Sequence, residues 1–217
     1  MSRSTRKRHP EHGASDVARR ILQQARAGLF PGSYLALTMD KLAAELGISK
    51  KTLYAHFASK EELALAVMDD IHAEIRSRTA AVVADRNLSF PAKLGRIIAT
   101  ISEYLGKTRP ELLNELEKFA PRVHDKFEEI RRTNIPLVFG LLLRQGMQEG
   151  MVRPDIDPDF AGHYLAQIFN GLLHPAAVRR SGLSPQQTLL RGIALFYGGI
   201  LTPAGYDAYR HQEPPPG

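Results

Sequence analysis

Residues 38–63 read TMDKLAAELGISKKTLYAHFASKEEL, and the order of caps and apolar positions within them decides the fold of this chain. Thr38 suits an N-cap, because its hydroxyl can accept from a free backbone N–H of the next turn. Met39, Leu42, Ala43 and Leu46 then recur at helical spacing, with Asp40, Lys41 and Glu45 outside the stripe. Gly47 stands where a left-handed residue must close the helix, a conformation in which a Cβ is strained. Ile48 is placed to plug the angle between two helices. Ser49 caps the second helix, which buries Leu53 and Phe57 four residues apart. Ser59 opens a third with Glu62 three positions on, the spacing of a capping box.

The second helix carries Lys50, Lys51, Thr52, Tyr54 and His56, side chains suited to phosphates and base edges rather than to a core. Two short helices joined by a tight turn, the second polar on its outer face, form a helix-turn-helix. That unit sets its second helix in the DNA major groove. The charge distribution agrees. The net charge is +6, and residues 1–60 hold eleven Lys and Arg against four Asp and Glu, whereas the remainder holds eighteen against nineteen. The whole positive excess therefore accompanies the helix-turn-helix, where it supplies salt-sensitive attraction to phosphates. The plainer alternative is a solvated basic face without a partner.

A chain of 217 residues has room for one large domain or two small ones, and 43% hydrophobic residues suffice for a core. The absence of cysteine excludes disulfides, thiolate zinc sites and a cysteine nucleophile. The start, MSRSTRKRHPEHG, is basic but leads into no apolar segment of a secretory signal. The longest apolar run, Ile135 to Leu143, contains Pro136 and is too short to span a bilayer. A soluble, cytoplasmic protein is expected.

Outside the motif the periodicity is helical throughout. Residues 1–13 read as a flexible basic arm in which Arg3, Arg6, Lys7 and Arg8 lie along phosphates or reach a minor groove, or else as a solubilising tail. Residues 14–30 form a first helix with Val17, Ile21, Leu22, Ala25 and Leu29 inward. A long helix from Ser59 to about Asp85 uses Leu63, Ala66, Val67, Ile71 and Ile75, with a charged flank (Asp69, Asp70, Glu74, Arg76, Arg78) toward solvent. Ser89-Phe90-Pro91 starts a helix reaching Gly106, and a short one follows near Pro110 to Phe119. The next, Arg122 to Glu149, carries Pro136 inside and is expected to kink there. Asp157-Pro158 and Ser184-Pro185 open the last two by the cap-then-proline rule. The expectation is an all-α chain of about nine helices: a helix-turn-helix head at 14–60, a helical-bundle body for ligand and dimer contacts at 61–201, and a flexible tail at 202–217.

At Thr38, Leu42-Ala43, Leu46-Gly47-Ile48-Ser49, Thr52-Leu53-Tyr54, His56-Phe57, Ser59-Lys60 and Leu63 the chain closely resembles the tetracycline-repressor (TetR) family of transcriptional regulators. The likeness extends upstream through Ile21-Leu22, Ala25, Leu29-Phe30 and Tyr34, and covers the first third of the chain. Two positions depart from the family pattern. The connection Phe30-Pro31-Gly32-Ser33-Tyr34 is one residue short, with Ser33 where glycine is usual, and Lys51 replaces a small residue at the groove-facing start of the second helix.

The resemblance implies that Lys50, Lys51, Thr52 and Ala55 face base edges, and that Thr38, Tyr54, His56 and Lys60 contact phosphates. Leu42, Ala43, Leu46, Gly47, Ile48, Leu53 and Phe57 form the core of the motif. It also implies a homodimer through residues 158–175 and 184–201, a palindromic DNA operator, a small-molecule effector and no cofactor. A repressor released by its effector is the leading expectation. An activator or a regulator controlled by a protein partner is the alternative, and a helical carrier or enzyme the remote one.

The histidines suggest no catalytic or metal site. His124 with Glu128 offers an i, i+4 pair of a kind common on solvated helices, and no nucleophile elbow or Ser/His/Asp set is visible. An effector pocket among the aromatic and polar residues of the body is better motivated, and Phe139, His163 and Asn170 are its candidate lining residues.

Overall fold

A computed structural model describes residues 10–211. The three polar caps around the motif act as their chemistry requires. Helices α1 (Pro10–Leu29), α2 (Met39–Leu46), α3 (Lys50–His56) and α4 (Lys60–Ala84) make the N-terminal part. The Thr38 hydroxyl accepts from the Lys41 amide, that of Ser49 from Thr52, and that of Ser59 from Glu62. Gly47 sits at φ 64°, and the Ile48 amide closes back onto the Ala43 carbonyl at 3.1 Å. The Glu62 carboxylate accepts from the Ala58 amide at 2.8 Å rather than from Ser59, so the box closes one residue earlier than its spacing suggests.

Helices α5 (Phe90–Gly106), α6 (Pro110–Phe119), α7 (Pro121–Gln148), α8 (Pro158–Leu172), α9 (Pro175–Ser181), α10 (Pro185–Ile200) and α11 (Pro203–Arg210) complete the chain. The described residues thus hold eleven helices, where periodicity predicts about nine. The two additions are α9 and α11. Both begin with the cap-then-proline signal read at Asp157 and Ser184: the His174 side chain accepts from the Ala176 amide, and the Thr202 hydroxyl from Gly205. Their length of seven and eight residues leaves too few turns for a periodic stripe.

Two further expectations are corrected. The first helix starts at Pro10, inside the segment read as a flexible arm, while residues 1–9, with Arg3, Arg6, Lys7 and Arg8, lie outside the described residues. The tail expected to fray from 202 is helical over Pro203–Arg210, and only 212–217 lie outside the described residues. Pro136 is accommodated inside a continuous α7, where α8 crosses it so closely that a Cβ on Gly162 would stand 3.0 Å from the Pro136 carbonyl oxygen.

The core forms two clusters. One joins α1, α2 and α3 (Ile21, Leu42, Leu53) to Leu63 and Val67 of α4 and to Leu112 and Leu116 of α6. The other, around Phe90, Leu94, Phe139, Leu165 and Tyr197, fills the body. Lys93 is buried there, with its ammonium donating to the Val83 carbonyl at 2.6 Å and the Gln145 side chain at 2.8 Å. That satisfies a charge that would otherwise be costly. The α4 flank read as solvent-facing is exposed, yet Asp70 and Glu74 pair with Arg26 of α1, and Arg78 pairs with Glu103 of α5.

Not every apolar face is covered. On α8, Phe160, Tyr164 and Leu172 stand in solvent at i, i+4 and i+12, and on α10 Leu190 and Leu195 do the same; Phe160 is 68% and Leu195 81% exposed. Their opposite faces (Leu165, Phe169, Ile193, Tyr197) are buried. A Cβ on Gly171, Gly198 or Gly199 would meet no atom within 4 Å.

The docking of α11 depends on Gly205, where a Cβ would fall 2.0 Å from the Met151 carbonyl oxygen. Alanine gains about 1 kcal/mol over glycine in an open helix, but here the obstacle is backbone and cannot swing aside. Gly205→Ala is expected to lose about 1–3 kcal/mol net, seen as a thermal midpoint lowered by roughly 2–10 °C. An unchanged or raised midpoint would show that α11 is not seated on residue 151.

Candidate nucleic-acid interface

Helix α3 has two faces with separate duties. Leu53 and Phe57 are buried against α1 and α4, which locks the rotation of the helix. Lys51, Tyr54 and Ala55 consequently share the exposed face, with Thr52 and His56 half-exposed at its flanks. Lys50 is exposed as well, and its ammonium lies 2.7 Å from Asp40 of α2. With both side chains more than 60% exposed, that pair contributes little to stability and can be exchanged for a phosphate at small cost. Thr52 Oγ1 shares a 2.8 Å hydrogen bond with Ser49 Oγ. No acidic side chain pairs with Lys51 among the described residues.

Lys60 is placed differently from the other cations. It is half-buried, donates to the Tyr34 carbonyl at 2.9 Å and lies 4.1 Å above the Tyr34 ring. Burial pushes its pKa down, while Glu115 acts in the opposite sense. Its contacts hold the α1–α2 connection.

That connection is held from the body too. Ser33 Oγ donates to the Glu115 carboxylate of α6 at 2.7 Å, and the Leu35 amide donates to the same oxygen at 3.2 Å. The Arg109 amide donates to the Phe30 carbonyl at 3.1 Å and its guanidinium to the Gly32 carbonyl at 3.3 Å. Ser33, one of the two departures from the family pattern, thereby acquires a role that glycine could not fill. Arg109 and Glu115 are functional candidates that sequence reading missed, since nothing local marks a residue whose partner is some eighty positions away.

Residues 21–67 match the sequence profile described as bacterial regulatory proteins, tetR family. The helix-turn-helix segment of this chain belongs to the TetR family of transcriptional regulators. The match runs from the second half of α1 through the first part of α4, including all of the helix-turn-helix. The regulator is 25% identical over 173 residues to the uncharacterized HTH-type transcriptional regulator YvaF of Bacillus subtilis (strain 168), covering 80% of this chain and 90% of that protein. Its fold is similar to that of SmeT, the repressor of the Stenotrophomonas maltophilia multidrug efflux pump SmeDEF (TM-score 0.65, 18% identity, 92% and 97% of the two chains). It is also similar to a transcriptional regulator from Saccharomonospora viridis in complex with choline (TM-score 0.66, 19% identity, 87% and 99%). Both the matching family model and the Bacillus subtilis protein are described as transcriptional regulators. No helix among its described residues is long and apolar enough to cross a membrane.

In the body, a cavity enclosing about 150 Å³ lies between α4, α5 and α7. Met68, Ile71 and Ile75 of α4 face Ile101 and Leu105 of α5 and Ile135 and Val138 of α7 across it. Phe30, at the junction of α1 and the clamped connection, also lines it. The three candidate lining residues are not brought together. Phe139 lines the cavity. His163 is exposed on α8 with Nδ1 2.7 Å from the Asp159 carbonyl oxygen, because it falls on the helix face opposite Leu165 and Phe169. Asn170 borders a separate opening with His124 and His174. The polar residues that do line the main cavity include His72, Arg76, Arg131 and Asn134. Arg131 falls in helical register with Phe127, Asn134 and Val138, a signal present in the sequence.

Glu115→Gln removes the charge from an acceptor that serves two donors of the head. A charge-assisted bond outweighs a neutral one by about 1 kcal/mol. Amide hydrogen exchange at Leu35 is therefore expected to accelerate about fivefold, with exchange in α10 unaltered. Equal acceleration at both places would point to global destabilisation and sink the local role.

Proposed function

We propose that this regulator is a repressor that binds a palindromic operator as a homodimer and is released by a small molecule bound in the body. The observation that carries the DNA half is the face of α3. Leu53 and Phe57 leave Lys51, Tyr54 and Ala55 outward, on the part of the chain that holds the entire positive excess. In this reading Lys50, Lys51, Thr52 and Ala55 read base edges, while Thr38, Tyr54 and His56 set the docking angle on phosphates. Lys60, engaged with Tyr34, assists by fixing the loop behind the motif.

A helix of seven residues is about 10 Å long and spans only a few base pairs. Two copies spaced one DNA turn apart, roughly 34–36 Å, supply the missing specificity. The solvent-facing stripes on α8 and α10, within residues 158–175 and 184–201, support pairing there as a four-helix interface. Contiguous apolar faces left in solvent are a mark of interaction sites. Gly171, Gly198 and Gly199 leave room for close helix approach.

The cavity wall supports the control step. A ligand there touches α4 at Met68, Ile71 and Ile75, and α1 at Phe30, so both helices that carry the head feel its presence. Release follows if the ligand favours a separation of the two heads that no longer matches the half-sites, a population shift whose size is set by its differential affinity. The S. viridis relative, solved with choline, shows that a protein of this fold takes a small molecule.

Operator selection from DNA flanking the regulator's own gene tests the reading. Lys51→Ala should lose about 1–3 kcal/mol of discrimination at one base position, and Tyr54→Phe about 1 kcal/mol evenly across operator variants. Identical profiles for the two variants would contradict the division of roles. Leu195→Glu places a charge in the α10 stripe, where burial without a partner costs several kcal/mol. It should yield a folded monomer by light scattering, with operator affinity reduced more than tenfold. A dimer of undiminished stability would move the interface elsewhere.

A further inference from the structure

The cavity between α4, α5 and α7 contains a cation with donors to spare. Arg131 is only 9% exposed, and its guanidinium carbon lies 4.6 Å above the Phe127 ring, which also lines the space. One terminal nitrogen, Nη2, is taken by Glu128, a turn earlier on α7. Nε and Nη1 are buried and have no acceptor among the described residues. A guanidinium has five N–H donors, and leaving buried ones unmade is costly. Native structures rarely tolerate that without a water, an ion or a ligand to meet them.

The surroundings decide the sign of what fits. Arg131, Arg76 and His72 line the cavity, and no Asp or Glu does. Glu128 approaches Arg131 from outside the lining and is 29% exposed, so solvent screens its charge while that of the arginine stays in low dielectric. Desolvation lowers the Arg131 pKa to about 10, which leaves it protonated at neutral pH. Lys93, the other buried cation of the body, makes the contrast: its ammonium is met by Val83 and Gln145.

Size and polarity bound the rest. The enclosed 150 Å³ equals the volume of a cavity that holds benzene, and the wall is otherwise aliphatic and aromatic. Hydrogen-bonded His72 of α4 and Asn134 of α7 add polar atoms to the lining. A wider cleft sharing Phe30, Tyr104 and Thr108 with the cavity opens toward solvent and offers a path in.

We infer that the body cavity binds a small monocarboxylate whose apolar part is about one ring in size, the carboxylate accepting from Arg131 and the ring lying among Ile71, Ile101, Val138 and Phe139. The inference rests on the cavity being the effector site and assigns that effector a chemical class.

Titration calorimetry on the full chain tests it with phenylacetate and 3-phenylpropionate against their neutral amides. The carboxylates are expected to bind roughly ten- to hundredfold more tightly, the effect of one charge-assisted hydrogen bond in a buried site. Arg131→Met should abolish that preference while retaining amide binding, which also shows that the variant keeps its cavity. Amides binding as well as carboxylates, no binding of either at millimolar concentration, or a carboxylate preference that survives Arg131→Met would each overturn the inference. Operator release is then followed separately by fluorescence anisotropy. Carboxylates that bind through Arg131 without releasing DNA would uphold the ligand class and refute the effector role. Release by the neutral amides alone would do the reverse.

Discussion

Helix α4 is the constraint on which the other parts depend. It runs unbroken for 25 residues, roughly 37 Å at helical rise, and its buried stripe serves two purposes in succession. Leu63, Ala64 and Val67 complete the core under the helix-turn-helix, and Met68, Ile71 and Ile75 form one wall of the body cavity. A continuous helix transmits displacement along its axis and resists bending. Whatever moves the cavity wall therefore acts on the base of α3, which ends only four positions before α4 begins.

The same packing removes any sharp border at residue 60. Leu112 and Leu116 of α6 and Val123 of α7 belong to the cluster that includes Ile21, Leu42 and Leu53. Glu115 and Arg109 then bind the α1–α2 connection from the body side. Exposed ion pairs such as Arg26–Glu74 run between the same helices, but solvent screening leaves each with a small share of the stability. The shape of the junction is set by apolar burial, and its detail by the few polar contacts that are partly shielded from water.

Most of the helical plan was legible in advance because its signals are local. Nine helices are recognisable from caps, proline starts and stripes, and Ser49, Ser59, Asp157 and Ser184 each cap the helix they were read to open. The helices α9 and α11 were missed although His174-Pro175 and Thr202-Pro203 carry the same start signal. A helix of two turns has too little periodicity to stand out from a loop. Candidate pocket residues were harder. His163 and Asn170 looked suitable by type, but their direction depends on how α8 rolls against α7 and α10. Arg131 is one of two adjacent arginines, and only its register with Phe127 and Val138 distinguishes it from Arg132.

By itself the sequence determined the helix-turn-helix, its orientation of Lys51 and Tyr54 away from Leu53 and Phe57, and the confinement of the net positive charge to that part of the chain. Capping and helical periodicity act over a few residues, so twenty-six consecutive positions contain the whole instruction. Tertiary structure alone decided that Ser33 meets Glu115, that Arg131 keeps open donors in an apolar space, and that α8 and α10 leave a second apolar face in solvent. Each of these depends on side chains brought together from distant parts of the chain, and on how much of each is hidden from water. Only the packed helices determine that.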